Sequence, residues 1–305
     1  MLAARLLDEK FTILLRTGKI AFVAPHSGHE AAQIGLAHAL QRGHDWFFPY
    51  YRDAGAILAL GVPLKEMFGH ALATLADPAK GRQMPGHFGS KSLNAFTPAS
   101  AIASHVPPAA GAAISMKLQN TRQVSVCTFG DGATSEGDWY AGVNIAAVQG
   151  APAIFVCENN KYGMGTSQKR AMSIANIAKK AEGYGMAGEF VDGMDVMAVR
   201  DATLRAIERA RKDGSPTLLE IRAYRYMGHS MSDPGKYRST EEIKKYQERD
   251  PITLFQDSLK EAKVFTDKDF EEMNAKATEM VEAAVKFADE SPFPDESELM
   301  TDVLA

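Results

Sequence analysis

The spacing of hydrophobic positions divides the chain into a helical start, an α/β middle and a helical end. In residues 1 to about 75, apolar residues recur at the three- and four-residue spacing of amphipathic helices, with breaks in "GKIAFVAPHSGHE" and "GHDWFFPYYRD". Residues 76–105 have little periodicity and many Gly, Pro, Ser and Asn. We therefore predict a long ordered loop there, because such loops inside a compact domain usually carry function.

Buried strands alternate with helices in the middle of the chain. The strands are predicted at "RQVSVCTF" (122–129), "APAIFVCEN" (151–159) and "SPTLLEIRAYRY" (215–226). Helices are predicted between them at about 135–149 and at 195–214, and Ser135 with Asp138 makes a capping-box pattern at the start of the first. This order predicts an α/β fold, with a parallel sheet, right-handed crossovers and helices on its faces.

The last part of the chain is a loop rich in Gly, Ser, Asp and Pro, followed by helices. These helices are predicted in "STEEIKKYQERD", from Pro251 onward, and from Asp267 to about Asp289. We expect one domain, 1–305, made of a helical N-terminal part (1–75), the loop (76–105), the α/β core (106–226) and a loop with a helical C-terminal part (227–305).

Charge and composition exclude several classes of protein. A net charge of −4, without a dense cluster of Lys or Arg, argues against nucleic-acid and membrane-surface partners. No stretch of about 18 apolar residues occurs, and Asp8, Glu9 and Lys10 interrupt the apolar start, so we expect neither a membrane span nor a signal peptide. Cys127 and Cys157 lie in apolar runs, which favours core thiols and a cytoplasmic location.

Polar residues follow two successive strands of the predicted sheet. Asp131 lies in "FGDGATSEGDWY", and Asn159 and Asn160 lie in "FVCENNKYGMG". Because ligands bind at the carboxyl ends of parallel strands, we expect these side chains to converge on one Mg²⁺ and two phosphate oxygens, with Gly130 and Gly132 allowing the close approach. Gly-Asp-Gly alone is a common turn, but the second polar cluster one crossover later favours the metal site.

These two motifs resemble the thiamin diphosphate motif. From "GHEAA" to "DPITLF" the chain resembles the α subunit of the decarboxylating component of 2-oxo acid dehydrogenase complexes. The resemblance implies a thiamin diphosphate-binding fold, in which a parallel sheet is flanked by helices and helical extensions lie at both ends. It also implies that the cofactor binds with Mg²⁺, and that Asp131, Asn160 and the carbonyl group of Tyr162 are the metal ligands.

The same resemblance implies further site residues. Cofactor contacts are expected from Tyr51, Arg52, Ser100, Ile102, Gly130, Asp131, Gly132, Ala133, Asn160, Tyr162 and His229. The loop "GRQMPGHFGSK" implies that Met84 and His87 line the substrate end. His229 matches the active-site histidine of the family, although a lone loop histidine is more often a solvated surface residue. His26 and His29 have no third ligand at metal-site spacing, so we do not expect zinc.

The implied chemistry needs partners. The cofactor accepts the electrons left by decarboxylation of a 2-oxo acid, and the acyl unit passes to the lipoyl group of a dihydrolipoyl acyltransferase component. His229 would move protons in these steps. In the two-chain form of the family, the glutamate that activates the cofactor belongs to the β subunit, and nothing here resembles a second cofactor domain. We therefore expect an α₂β₂ heterotetramer and an α chain that is incomplete alone.

The substrate motifs point in two directions. "KGRQMPGHFGSK" resembles branched-chain enzymes, which favours substrates such as 3-methyl-2-oxobutanoate, whereas "ENNKYGMGTS" and "GHSMSDPGKYRSTEE" resemble pyruvate or acetoin dehydrogenases. Glu158 follows the pyruvate type. Ala99, Ala101 and His105 replace polar groups that hold potassium in some branched-chain enzymes. Two other classes remain open, namely a non-catalytic scaffold subunit and a single-chain thiamin enzyme of the transketolase type, although 305 residues favour only one cofactor domain.

Overall fold

A five-stranded parallel sheet forms the centre of the molecule in the computed structural model, which describes residues 1–301. The strands are β1 (Trp46–Phe48), β2 (Ser125–Gly130), β3 (Ala153–Asn159), β4 (Tyr162–Gly163), β5 (Thr166–Ser167), β6 (Ala187–Asp192) and β7 (Thr217–Arg222). The sheet has the order β1-β2-β3-β7-β6, and β4 and β5 form a small antiparallel pair beside it. The predicted parallel sheet is confirmed.

Helices cover both faces of this sheet. They are α1 (Leu2–Arg16), α2 (Glu30–Ala39), α3 (Ala54–Leu60), α4 (Leu64–Leu72), α5 (Val106–Gln119), α6 (Gly137–Gln149), α7 (Gln168–Ala171), α8 (Val196–Asp213), α9 (Thr240–Gln247), α10 (Pro251–Glu261) and α11 (Asp267–Asp289). The predicted helices of the C-terminal part are confirmed. None of those within residues 1–301 combines the length and the hydropathy needed to cross a bilayer.

Successive side chains of each strand point to opposite faces of the sheet, and this alternation divides the core into two layers. Val126 and Val156 pack into the cluster formed with α1, α2, α4, α8 and α11, whereas Cys127 and Phe155 pack into the cluster formed with α5 and α6. Neighbouring side chains of a strand point to opposite faces, so a strand covered on both faces is apolar throughout. This explains why β2 and β3 were readable as continuous apolar runs.

Two strands of the parallel sheet, β1 and β6, and the small pair β4-β5 were not predicted, and one predicted cap is wrong. β1 lies in "GHDWFFPYYRD", which was predicted only as a break in the helical pattern, and β6 forms an edge strand on β7. The capping box of Ser135 and Asp138 is absent, because α6 begins at Gly137 without a side-chain cap. Ser135 belongs instead to a 3₁₀ turn, Asp131–Ser135, which carries the chain sharply away from β2.

The register of the sheet brings the two polar motifs together. β2 and β3 are neighbours, and Gly130 of one pairs with Glu158 of the other. Because the strands are parallel, Asp131 and Asn160 both follow at the same edge of the sheet.

Candidate functional site

A cavity of about 550 Å³ lies at the carboxyl edge of β2 and β3. Its lining includes every site residue that the resemblance implied, namely Tyr51, Arg52, Met84, His87, Ser100, Ile102, Gly130, Asp131, Gly132, Ala133, Asn160, Tyr162 and His229. The structure therefore brings these residues together from six separate segments, while their individual roles stay predictions. The expectation that the side chain of Asn159 also reaches the metal is wrong, because its Nδ2 donates to Glu220 Oε1 and Gln168 Oε1 and the residue does not line the cavity. Arg225 also lines the cavity and was missed.

Asp131 is a buried carboxylate without an ion-pair partner. It is 2% exposed, and no cationic side chain lies within ion-pair distance of it in residues 1–301. Burial raises its pKa to about 6, against a partial opposing effect of Arg225 and Lys161. A buried acid of this kind is stabilised by a cation, which fits a divalent metal ion.

Asn160 is oriented by a buried histidine that the sequence analysis set aside. His29 Nδ1 lies 3.2 Å from the carbonyl oxygen of His26, to which it can donate, so its Nε2 can accept from Asn160 Nδ2 at 3.2 Å. Asn160 Oδ1 accepts the Tyr162 N–H at 3.3 Å. Burial, with Arg52 and Arg225, lowers the pKa of His29 well below its usual value. The neutral ring therefore leaves the amide oxygen of Asn160 free to serve as a ligand.

Two glycines let the loops after β2 and β3 touch. A Cβ atom on Gly132 would lie 3.3 Å from Gly163 Cα, and one on Gly163 would lie 3.2 Å from Gly132 Cα. The second loop turns through Lys161 and Met164, which have φ angles of 77° and 53°. This turn brings Gly163 against Gly132 of the first loop, where the metal site is predicted.

Two buried guanidinium groups give the cavity positive charge. Arg52 and Arg225 are each 1% exposed, and neither has a carboxylate partner within the described residues. Arg52 donates to the carbonyl oxygens of Pro25 (2.5 Å) and His229 (3.0 Å), while its Nε has no partner. Arg225 donates to the carbonyl oxygens of Tyr162 (3.2 Å) and Met164 (2.9 Å). This charge fits a diphosphate, because guanidinium groups match phosphate oxygens well.

His229 lies in a loop that is more ordered than its composition suggested. Asp233 accepts the His229 N–H at 2.6 Å and the Tyr237 hydroxyl at 2.6 Å. Arg238 donates to the carbonyl oxygens of residues 225–227. The His229 ring is half-buried against Tyr51, with 6.0 Å between ring centres, rather than solvated.

The proton of His229 is weakly held. Burial, together with the charges of Arg52 and Arg225, lowers its pKa to about 4. The ring of His229 is therefore neutral near pH 7. Its Nδ1 lies 3.5 Å from Arg52 Nη2, which makes Nδ1 the acceptor side of the ring.

A polar and thioether cluster forms another part of the cavity wall. His87 Nε2 lies 2.8 Å from Ser100 Oγ, and Ser100 Oγ lies 3.2 Å from Met84 Sδ. Burial lowers the pKa of His87, so its ring is neutral near pH 7. Met84 and Ile102 remain 53% and 40% exposed, which leaves apolar surface at the mouth of the cavity.

Beneath the cavity lies a pair of buried carboxyl groups that the sequence did not reveal as a pair. Glu158 Oε2 accepts from the Tyr50 hydroxyl at 3.0 Å and from Gln33 Nε2 at 3.2 Å. Burial and the charge of Glu158 raise the pKa of Asp53, and burial also raises that of Glu158. Two such groups in contact hold one proton between them.

Comparisons with known proteins identify the family of this chain. A family model described as "Dehydrogenase E1 component" matches residues 1–297. The chain is 40% identical over 295 residues to the 2-oxoisovalerate dehydrogenase subunit alpha of Bacillus subtilis, an alignment spanning 96% of this chain and 89% of that protein. It is 34% identical over 304 residues to the pyruvate dehydrogenase E1 component subunit alpha of Rickettsia felis, spanning 99% and 93%. The protein of the same name from Staphylococcus aureus is 36% identical over 295 residues, spanning 95% and 76%.

Proposed function

This chain belongs to the dehydrogenase E1 component family, and we propose that it is the α subunit of a 2-oxo acid dehydrogenase acting on branched-chain substrates such as 3-methyl-2-oxobutanoate. The 2-oxoisovalerate named for the relative from Bacillus subtilis is the same compound. The cavity wall formed by Met84 and His87 further supports this substrate, because that loop resembles the branched-chain type. Pyruvate is the second candidate, favoured by Glu158 and by the relatives named pyruvate dehydrogenase.

We propose that the cavity binds thiamin diphosphate, which the family implies, together with Mg²⁺. Arg52 and Arg225 would bind the diphosphate, and Asp131, Asn160 and the Tyr162 carbonyl group would hold the metal. Bound there, the cofactor would supply an electron sink for decarboxylation. The observation that best supports this proposal is the unpaired charge of Asp131 beside those of the two arginines.

His229 is the residue we propose for proton transfer. With a pKa of about 4 it is neutral at pH 7 and can accept a proton. Asp233, which accepts the His229 N–H, would hold the ring beside the substrate. The cavity walls formed by Tyr51 and Met84 would exclude water. Arg52 donates a hydrogen bond to the backbone carbonyl group of His229 and would therefore link diphosphate binding to the position of the His229 ring.

We further propose the partners that the family implies for such an α chain. A β subunit would complete the site in an α₂β₂ heterotetramer, and a dihydrolipoyl acyltransferase would offer its lipoyl group at the cavity mouth. A cytoplasmic location is proposed from the two cysteines, which are buried and unpaired.

Reconstitution tests the proposal. We expect the chain with a β subunit, thiamin diphosphate, Mg²⁺ and a lipoyl domain to acylate the domain faster with 3-methyl-2-oxobutanoate than with pyruvate. The α chain alone should acylate the lipoyl domain with neither substrate. Asp131→Asn should lose Mg²⁺-dependent cofactor binding in titration calorimetry, whereas the exposed Asp201→Asn, on α8, should bind like the wild type. Unchanged binding by Asp131→Asn would overturn the metal site, and faster turnover of pyruvate would overturn the substrate.

A further inference from the structure

α9 has no buried residue, yet it is fixed to the site by a cluster of tyrosines. The rings of Tyr224 and Tyr246 stack with centres 3.8 Å apart and planes 7° from parallel. Glu242, also on α9, accepts hydrogen bonds at 2.9 Å from the hydroxyl groups of both Tyr162 and Tyr224. Its second oxygen lies 3.1 Å from the Tyr162 hydroxyl. One carboxylate therefore joins α9 to the loop after β3 and to the segment after β7.

The hydroxyl groups of Tyr162 and Tyr224 both donate to the carboxylate of Glu242. Arg238 lies over both rings, 5.9 Å and 5.4 Å from their centres, and supplies positive charge near Glu242 without an ion pair within residues 1–301. The bonds are thus stronger than neutral ones, because the acceptor is charged.

Tyr162 connects this cluster to the cavity. Its side chain is 9% exposed and is held by Glu242, while its backbone carbonyl group accepts from Arg225 at 3.2 Å on the side of the cavity. Tyr162 is therefore fixed both through its hydroxyl group and through its backbone carbonyl group. Mg²⁺ requires near-ideal octahedral geometry, so a small displacement of a ligand oxygen weakens its binding.

We propose that Glu242 is a positioning residue for the metal site, which it serves by fixing Tyr162 through its hydroxyl group. The inference rests on the proposed function, because Tyr162 supplies a metal ligand only if the cavity binds the metal diphosphate. It assigns a role to α9, a helix that follows the His229 loop and contributes no residue of its own to the cavity lining.

The test measures metal affinity rather than turnover. The probe is Mn²⁺ in place of Mg²⁺, and its binding to the α₂β₂ protein with thiamin diphosphate is followed by electron paramagnetic resonance. Glu242→Ala and Tyr162→Phe should each raise the Mn²⁺ dissociation constant about 10-fold or more, the usual effect of removing a group that orients a ligand. Glu242→Gln keeps an oxygen acceptor for both hydroxyl groups and should recover most of the affinity.

A double variant separates positioning from general destabilisation. If Glu242 acts through the Tyr162 hydroxyl, Glu242→Ala combined with Tyr162→Phe should bind Mn²⁺ no more weakly than the weaker single variant. Glu241→Ala, which removes an exposed charge from the same turn of α9, should bind like the wild type. Additive losses in the double variant would mean that the two residues act independently and would overturn the inference.

The outcomes separate a failure of this inference from a failure of the proposed function on which it rests. Loss of Mn²⁺ binding in Asp131→Asn with wild-type affinity in Glu242→Ala would retain the metal site and overturn the role of Glu242. Wild-type protein that binds no Mn²⁺ with thiamin diphosphate would overturn the proposed function first. If Glu242→Ala fails to assemble, Tyr162→Phe, which deletes a single oxygen, still decides the question, and wild-type affinity in that variant would overturn the inference.

Discussion

At the scale of single residues, the site is defined by buried charged groups that form no salt bridge in residues 1–301. Asp131, Arg52 and Arg225 face one cavity, and none of them forms a salt bridge within that part of the chain. Burying an unpaired charge costs several kcal/mol, so this arrangement is most stable when a ligand supplies the missing charges. A metal diphosphate carries both signs in one group and matches the pattern.

Some of these residues were predictable from the sequence, and others were not. Asp131, Asn160 and Tyr162 belong to short motifs at strand ends, so their positions follow from local pattern. His29 meets Asn160 across 131 positions, Arg225 meets Tyr162 across 63, and Glu242 meets Tyr162 across 80. No periodicity in the sequence indicates such contacts, because they depend on how distant segments pack.

His29 should contribute to cofactor binding through Asn160. We expect His29→Leu to weaken Mg²⁺-dependent binding of thiamin diphosphate by the α₂β₂ protein about 10-fold or more, because Asn160 Nδ2 loses its acceptor. His29→Gln offers an oxygen acceptor and should retain more of the affinity. Titration calorimetry at saturating Mg²⁺ measures both, and equal affinities of the leucine variant and the wild type would contradict the prediction.

The pKa of His229 should depend on the cofactor. Without it, the resonances of His229 should stay those of a neutral imidazole until the pH approaches its pKa of about 4. Bound diphosphate would offset the charges of Arg52 and Arg225 and should raise this pKa toward the usual value of about 6.5. Nuclear magnetic resonance titration of histidine-labelled protein, assigned with His229→Ala, would show this, and an unchanged pKa on cofactor binding would refute it.

At the scale of elements, the interior strands were predictable and the edge strands were not. β2, β3 and β7 are covered on both faces and are mostly apolar, with burial at nearly every position. β6 alternates between exposed and partly buried residues, and β1 has three residues before Pro49. Edge strands need less apolar surface and fewer residues, so their signal is too weak to separate from loop or helix.

Packing of α2 against α8 should limit substitution at one glycine. A Cβ atom on Gly35 would lie 2.6 Å from the Val196 carbonyl oxygen and 2.9 Å from Val199 Cβ. We expect Gly35→Ala to lower the free energy of unfolding by about 1–3 kcal/mol through overpacking. Gly111→Ala, in α5 with nothing within 4 Å, should raise it by about 0.5–1 kcal/mol. Urea unfolding measures both, and equal shifts would contradict the argument.

At the scale of the whole molecule, the two terminal helical regions are parts of the core. Leu7 and Phe11 of α1 and Val281 and Ala284 of α11 belong to the same buried cluster as the sheet residues. Asp8 accepts the backbone N–H groups of His26 and Ser27 at 3.0 Å each. α1 is thereby fixed to the segment that leads into α2 and the His29 contact. The stability of the first helix and the geometry of the site are therefore linked.

The Asp8 and His26 pair should give stability a defined pH dependence. Burial opposes both charges, but their mutual attraction and hydrogen bonds lower the pKa of Asp8 to about 2 and raise that of His26. The contribution of Asp8 is lost as the pH falls from about 4 toward 2, and that of His26 is full below about 6.5 and lost as the pH rises through its raised pKa.

Substitution of Asp8 provides the measurement. The difference in the free energy of unfolding between the wild type and Asp8→Asn should be larger at about pH 5 than at about pH 9, because His26 loses its proton, and with it the attraction to Asp8, as the pH rises through its raised pKa. Lys19, which forms an exposed pair with Asp289, offers a control, since Lys19→Gln should change stability by at most about 1 kcal/mol at either pH. A difference for Asp8→Asn that does not change with pH would contradict the assignment.

The contact of Gly132 with Gly163 restricts how the site can change during evolution or redesign. Each glycine occupies the space in which the other would place a side chain, at 3.2–3.3 Å from a Cβ to the facing Cα. A substitution at either position must therefore separate the two loops by a few tenths of an ångström, moving Asp131 relative to Asn160. Variants that alter substrate choice are better sought at Met84, which lines the predicted substrate end, is partly exposed and lies outside the two loops.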